Sequence, residues 1–260
     1  MMQARPYVLQ TEFLQGPLPI ALAHRGAHST APENTLAAFD AAWGLGYRYI
    51  ETDVRSTSDG SIVVFHDANT RRMHGVDLKI GRAPLGDLLS RTKSGDITTL
   101  AAVLNRYTDC FFNIDVKDVK SAKDIYSVAS SANALNRVCI GSFSSRRMRI
   151  VRRAFQHSEA GCFVATAFEV FQFLIFGRIL GSRFRRVAPR VFQVPMKFGG
   201  MPLISRRFVR KAHACGFHVH VWTVNDEPSL RKALQFEVDG IITDAPELLK
   251  AVLTDLGMWV

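Results

Sequence analysis

Short apolar runs alternate with longer segments in which apolar residues recur at helical spacing. The runs Ile20–Ala23, Tyr47–Val54, Cys110–Val116, Val138–Ile140, Cys162–Val164, Val191–Val194, His218–Val221 and Gly240–Ile242 read as strands. Between them, Thr35–Trp43, Thr99–Tyr107, Ala122–Ala132, Ser145–Phe155, Ser205–Ala214 and Pro228–Gln235 read as amphipathic helices. About eight strand–helix steps in one chain predict an α/β fold, a TIM (β/α)8 barrel, rather than a doubly wound sheet, with the fifth step the faintest. One departure interrupts the alternation. After the second strand, Asp59-Gly60 predicts a turn and Ser61–Phe65 an extra extended segment, followed by irregular sequence to about Thr98. Connections that long in a compact domain are usually functional, so a small cap over the barrel mouth is expected at residues 59–98. No repeat or low-complexity linker divides the chain, and one domain over residues 1–260 is the expectation.

Composition is that of a globular protein, 47% hydrophobic and 22% charged over 260 residues, enough for one large core. The four cysteines, Cys110, Cys139, Cys162 and Cys215, lack metal-ligand spacing and read as free thiols, mostly buried. Residues 1–19 contain Arg5, Glu12 and three prolines rather than the continuous apolar core of a signal peptide, which implies a cytoplasmic protein. The long apolar stretch Cys162–Leu180 is broken by Glu169, Gln172, Gly177 and Arg178, and reads as a strand and a soluble helix rather than a membrane span. A net charge of +10 is compatible with a phosphate-bearing substrate, nucleic acid or an anionic lipid surface, or with solvated helix faces. The basic residues are not interleaved with aromatics on a recognisable nucleic-acid module, so no nucleic-acid partner is expected.

Chemistry concentrates where a parallel barrel places it, at the C-terminal ends of the strands. The first strand ends in His24-Arg25-Gly26, the second in Glu51-Thr52-Asp53, the third in Asp115-Val116-Lys117, the seventh in Trp222, and the extra segment in His66-Asp67. Glu51 and Asp53 lie two apart on a strand and face the same side. Two carboxylates pressed together need a cation between them, and a divalent ion or salt bridges to Arg25, Arg55 or Lys117 would both serve. Asp115 could supply a third oxygen, a ligand set that suits magnesium or calcium better than zinc. His24 and His66 are candidates for proton transfer, since imidazole titrates near ~6.5. Arg25 and Lys117 would offer fixed positive charge to a phosphodiester. His28, His74, His157, His213, His218 and His220 lack that context and receive no role. Ala31-Pro32-Glu33-Asn34-Thr35 reads mainly as a helix start with proline in the first turn.

Taken together, His24-Arg25-Gly26-Ala27 with Pro32-Glu33-Asn34-Thr35, Glu51-Thr52-Asp53-Val54, Asp59-Gly60 through Val64-Phe65-His66-Asp67, Val221-Trp222-Thr223-Val224-Asn225, and Asp239-Gly240-Ile241-Ile242-Thr243-Asp244 resemble the glycerophosphodiester phosphodiesterase family across nearly the whole chain. The resemblance implies hydrolysis of a small glycerophosphodiester to glycerol phosphate and an alcohol. It also implies one divalent ion, Mg2+ or Ca2+, on Glu51, Asp53 and Asp115, with His24 and His66 as the acid–base pair. Arg25 and Lys117 would contact phosphate, and Trp222 would wall the substrate side. The family usually places glutamate where this chain has Asp115; related phospholipase D toxins use aspartate there but lack the His-Arg-Gly and Pro-Glu-Asn-Thr segments. Two alternatives remain. One is a lysophospholipase D at a membrane, with the helix Ala167–Leu180 and Arg183, Arg185 and Arg186 making peripheral contact with anionic lipid at the inner face. The other is a non-catalytic phosphate- or lipid-binding barrel, against which the pair of histidines argues.

Overall fold

The computed structural model describes residues 11–93, 95–158, 160–176 and 190–260. Eight parallel strands form a nearly closed barrel: β1 (Ile20–His24), β2 (Tyr49–Ser56), β4 (Phe111–Val116), β5 (Val138–Gly141), β6 (Cys162–Phe163), β7 (Val191–Pro195), β10 (His218–Trp222) and β11 (Gly240–Thr243). Each pairs with its neighbours in that order, β1 also pairs with β11, and a parallel bridge between Val164 and Val191 spans the gap from β6 to β7. The TIM barrel expected from the alternating pattern is therefore the observed fold. Short β6 explains the faint fifth step: only two residues hold regular strand geometry.

Side chains alternate along each strand, so inward positions can be followed from the base of the barrel to its mouth. They change from apolar to polar: Ile20, Leu22 and His24 on β1, Tyr49, Glu51 and Asp53 on β2, Phe111, Asn113 and Asp115 on β4. At the base, Phe13 and Leu14 from a single 3-10 turn (Glu12–Leu14) join Ile20, Leu22, Tyr49, Cys139, Cys162, Val191 and Ile242 in an apolar plug. Midway, Asn113 and Gln193 exchange amide hydrogen bonds of 2.9 and 3.3 Å across the interior. The acidic side chains of these three strands therefore stand at the mouth, whereas His218 and His220 are buried lower on β10, level with Val191 and Gln193.

The outer ring contains α1 (Leu36–Gly44), α4 (Leu100–Arg106), α5 (Val119–Ser131), α6 (Ser145–Ala154), α7 (Ala167–Phe176), α8 (Arg206–Ala214), α9 (Glu227–Gln235) and α10 (Pro246–Asp255). Side-chain N-caps start most of them: Thr35, Thr99, Asp118, Ser144, Ser205 and Asp226 each accept a backbone N–H of the first turn. α1 begins after Thr35, so Pro32, Glu33 and Asn34 form a loop over the mouth rather than a first helical turn. Neither α10 nor its boundaries were expected, although Pro246 and Glu247 are ordinary helix-start residues. No helix among the described residues is long and apolar enough to cross a membrane. Residues 1–10, and Arg183, Arg185 and Arg186 of the expected basic segment, lie outside the described residues.

The insertion is ordered rather than irregular. Strand β3 (Ile62–Val64) runs back antiparallel to β2, pairing Val64 with Val54, through a turn in which Gly60 takes φ 96°. Two short helices follow, α2 (Arg71–His74) and α3 (Leu85–Arg91), and Val63, Phe65, Leu78, Ile80, Leu88 and Ile97 give this segment a small core of its own. A tiny hairpin, β8 (Lys197–Phe198) and β9 (Met201–Pro202), follows β7 at the mouth.

Candidate active site

The turn after β1 is backbone-driven. Arg25 and Gly26 both take positive φ, 57° and 85°, and a Cβ at Gly26 would lie 2.7 Å from the carbonyl of Ala38, so only glycine fits against α1 there. That turn leaves His24 at the rim and swings Arg25 across the mouth. In β-sheet register His24 is level with Glu51, and Asp53 is level with Asp115. The β2–β3 hairpin returns the chain to the same height, where the Phe65 amide donates to the Asp53 carbonyl at 2.9 Å, and so delivers His66 to the mouth as well.

Each of the two histidines is tied to a carboxylate through Nδ1. His24 Nδ1 is 2.5 Å from Asp244 Oδ1, and His66 Nδ1 is 2.7 Å from Asp67 Oδ1. A carboxylate can only accept, so Nδ1 donates in both pairs and Nε2 is left for other chemistry. His24 Nε2 faces Glu51 Oε2 at 3.6 Å. Burial depresses the His24 pKa, but the Glu51 charge and the Asp244 hydrogen bond outweigh it and the net shift is upward. Asp244 is itself held far below the usual carboxylate range: burial opposes this, but bonds from His24 and His28 prevail.

The acidic residues occupy the floor. Asp53 is almost fully engaged, Oδ1 with Lys117 Nζ at 2.8 Å and Oδ2 with Arg25 Nε at 3.1 Å and Asn34 Nδ2 at 3.0 Å. Its pKa is lowered, since Lys117 and Arg25 outweigh the cost of burial. Asp115 Oδ2 bonds Lys117 Nζ at 2.6 Å, whereas Asp115 Oδ1 and Glu51 Oε2 are buried without a hydrogen-bond partner. Burial, and then the Asp53 charge, push Glu51 above the ordinary carboxylate range; burial also raises Asp115. Orphaned buried oxygens on two adjacent acids are costly unless a cation or proton meets them, and an all-oxygen donor set suits Mg2+ or Ca2+. Glu51, Asp53 and Asp115 thus fit a hard divalent ion chemically, although in this geometry Lys117 and Arg25 neutralise Asp53.

Among the described residues, the group whose ligand atoms lie within 4.8 Å of one another is a different one, His24, His28 and Asp244. Its separations argue for hydrogen bonds rather than a metal. Asp244 Oδ1 is 2.5 Å from His24 Nδ1 and 2.9 Å from His28 Nε2. Ligands on a tetrahedral ion with ~2.0–2.1 Å bonds sit ~3.3 Å apart.

Several residues of this site carried no role in the sequence reading. His28, given no role from the sequence, shares Asp244 with His24. Asn225 Nδ2 holds Asp244 Oδ2 at 2.8 Å and its Oδ1 accepts the Asp244 amide. Asn34 Oδ1 accepts Thr52 Oγ1 at 2.7 Å while its amide holds Asp53. Glu33 joins Arg25 to Arg72 of the insertion, and Arg72 Nε reaches Asp67 at 2.7 Å, so a chain of ion pairs connects the β1 turn, the insertion and the His66 dyad. Trp222 packs edge-on against Phe143, with ring centroids 5.6 Å apart, and the pair forms an aromatic wall at the mouth.

Known proteins resemble this chain throughout. The sequence model of the Glycerophosphoryl diester phosphodiesterase family matches residues 24–248. A relative from Mycobacterium tuberculosis named probable glycerophosphodiester phosphodiesterase 2 is 38% identical over 95% of this chain and 96% of its own. Human lysophospholipase D GDPD1 is 27% identical over 89% of this chain and 85% of its own. The solved structure of an Oleispira antarctica phosphodiesterase, in complex with the product sn-glycerol-3-phosphate, superposes with a TM-score of 0.71 over 91% of this chain and 97% of that one, at 21% identity.

Proposed function

From the chain's membership of the glycerophosphoryl diester phosphodiesterase family, we propose that it hydrolyses glycerophosphodiesters to glycerol phosphate and an alcohol, with His24 and His66 moving the protons. The observation that carries this reading is the pair of carboxylate-anchored histidines at one barrel mouth, beside buried acids and two cations.

Nε2 of one histidine takes the proton from the glycerol hydroxyl next to the phosphate, and that oxygen attacks phosphorus. The other histidine, protonated, donates to the departing alcohol, so one proton is removed and one supplied. A cyclic phosphate is left, which water opens with the two histidines exchanging roles. Because the nucleophile belongs to the substrate, its effective concentration is already high, and positioned proton transfer adds ~10²–10⁴-fold. Bound on Glu51, Asp53 and Asp115, a Mg2+ or Ca2+ ion would supply Lewis-acid polarisation of the phosphate. Arg25 and Lys117, now paired with Asp53 and Asp115, stand within the same cluster to take the charge of the nonbridging oxygens. Trp222 and Phe143 give the leaving group an apolar wall. The glycerol phosphate held by the Oleispira antarctica structure supports the product side.

A second substrate class, lysophospholipids, is favoured by the name of the human relative and by exposed aromatic residues near the mouth. Assays with glycerophosphocholine and with a lysophospholipid, each with magnesium, calcium or chelator, test both readings. Release of choline that chelator stops and either ion restores is expected; full activity in excess chelator, or no turnover of either substrate, would contradict the proposal.

A further inference from the structure

Helix α7 breaks the rule by which barrel helices bury one stripe and solvate the other. Val170 and Phe173 face the barrel, where Phe173 packs on Phe192, Phe208 and Phe217. The opposite stripe, Phe168, Phe171 and Ile175 at helical spacing, is also apolar, and these residues are 59%, 57% and 55% exposed. The β8–β9 hairpin, which follows the next barrel strand, β7, carries Phe198 and Met201, 73% and 71% exposed. Most large exposed hydrophobics of the described residues thus belong to two successive steps of the barrel, the helix after β6 and the hairpin after β7. Isolated exposed apolar residues need no explanation, but a contiguous patch marks an interaction surface.

What flanks the patch identifies its partner. On one side lies α6, with five arginines and no acid, touching α7 through the ion pair of Arg152 with Glu169. On the other lies α8, with Arg206, Arg207, Arg210 and Lys211 and no acid, touching α7 through Phe208 and through Lys211 Nζ on the Phe173 carbonyl. Arg149, Arg153, Arg207, Arg210 and Lys211 are exposed. Glu169 is the one acid of these three helices, and Arg152 neutralises it. A second copy of the chain would bring these basic helices against their like, at a net charge of +10 per chain.

We propose that this sector is a membrane-docking face: the α7 stripe and the β8–β9 tip enter the interfacial layer of an anionic bilayer, and the α6 and α8 arginines bind its headgroups. Apolar residues framed by basic ones are the chemistry of interfacial attachment. Attachment here would leave the barrel rim beside the lipid surface. It does not depend on which diester the site cuts, so it stands or falls separately from the catalytic reading.

The test is sedimentation of the full-length protein with phosphatidylglycerol-containing vesicles and with pure phosphatidylcholine vesicles, at low and high salt. Binding to the anionic vesicles at low salt, released by high salt, is expected, since such attraction is screened beyond ~8–10 Å. The double variant Phe168→Glu/Phe171→Glu should bind at least about tenfold more weakly. Arg149→Glu/Arg210→Glu should lose about fivefold or more per charge. Leu256→Glu, an exposed apolar position on another sector, should bind as the wild type does. All variants should keep their circular dichroism and their lipid-free activity. No binding at low salt, undiminished binding by the phenylalanine variant, or a dimer lost in that variant without any vesicle binding would overturn the proposal.

Discussion

Replacing Asp244 by asparagine tests whether the anchored imidazole matters to turnover. Asp244 Oδ1 accepts from His24 and His28 at 2.5 and 2.9 Å, and Oδ2 accepts from Asn225 at 2.8 Å. Asparagine keeps one acceptor, so at least one donor is left facing an amide N–H. A hydrogen bond to a charged group is worth about 1.5–3 kcal/mol, and with the Asp244 side chain 31% exposed the lower part of that range applies. About 1.5–2 kcal/mol corresponds to a loss of about ten- to thirtyfold in kcat. The loss belongs in kcat rather than KM, because Asp244 acts through His24. Its charge also raises the His24 pKa, so the pH–kcat limb set by His24 should move to lower pH in the variant. Steady-state kinetics on glycerophosphocholine from pH 5 to 9, with melting temperatures as a control, measures both. A kcat within about twofold of wild type and an unmoved profile would refute the anchoring role.

Three other perturbations have defined outcomes. Glu169→Gln removes the double contact with Arg152; because Arg152 holds the Glu169 pKa down despite burial, the stabilisation is present above the unfolded value near ~4.3 and is lost as pH falls through the lower folded value. The variant should therefore be less stable by about 1–3 kcal/mol at pH 7, with the difference shrinking below about pH 4, as read by urea unfolding; a pH-independent difference would contradict this. Gly26→Ala should cost more than about 2 kcal/mol, since both its φ and the backbone of Ala38 exclude a Cβ, and an unchanged melting temperature would show that the turn can relax. Asp115→Asn should raise the metal concentration needed for activity more than it raises KM, while Asp115→Glu should retain substantial activity; unchanged metal dependence in Asp115→Asn would make Asp115 a structural partner of Lys117.

Much of the barrel could be read from the sequence because its strands are short apolar runs separated by capped helices, as at Gly240–Thr243 and Thr35. The insertion was legible only as far as its turn and extra strand, since α2 and α3 are too short to display a period and their core residues, Leu78, Ile80 and Leu88, are irregularly spaced. Within the site, alternation alone put Glu51 and Asp53 on one face. Which cation each acid meets depends on register between strands, such as Asp53 against Asp115, and on a loop that turns Asn34 and Arg25 onto Asp53. The dyad of His24 with Asp244 joins residues at opposite ends of the chain because β11 closes on β1. Thr243-Asp244, at the C-terminal end of a barrel strand, was a usable signal for it. No such signal announced Phe143 beside Trp222.

In the proposed function, His24 and His66 together move the protons of phosphodiester cleavage at this mouth. Phosphorus NMR of glycerophosphocholine turnover, by wild type and by His24→Ala and His66→Ala under the same saturating metal, tests it most directly. Conversion of the diester signal to glycerol phosphate is expected from the wild type, and at least ~10²-fold slower conversion from each folded variant. Near-normal conversion by both variants would contradict it.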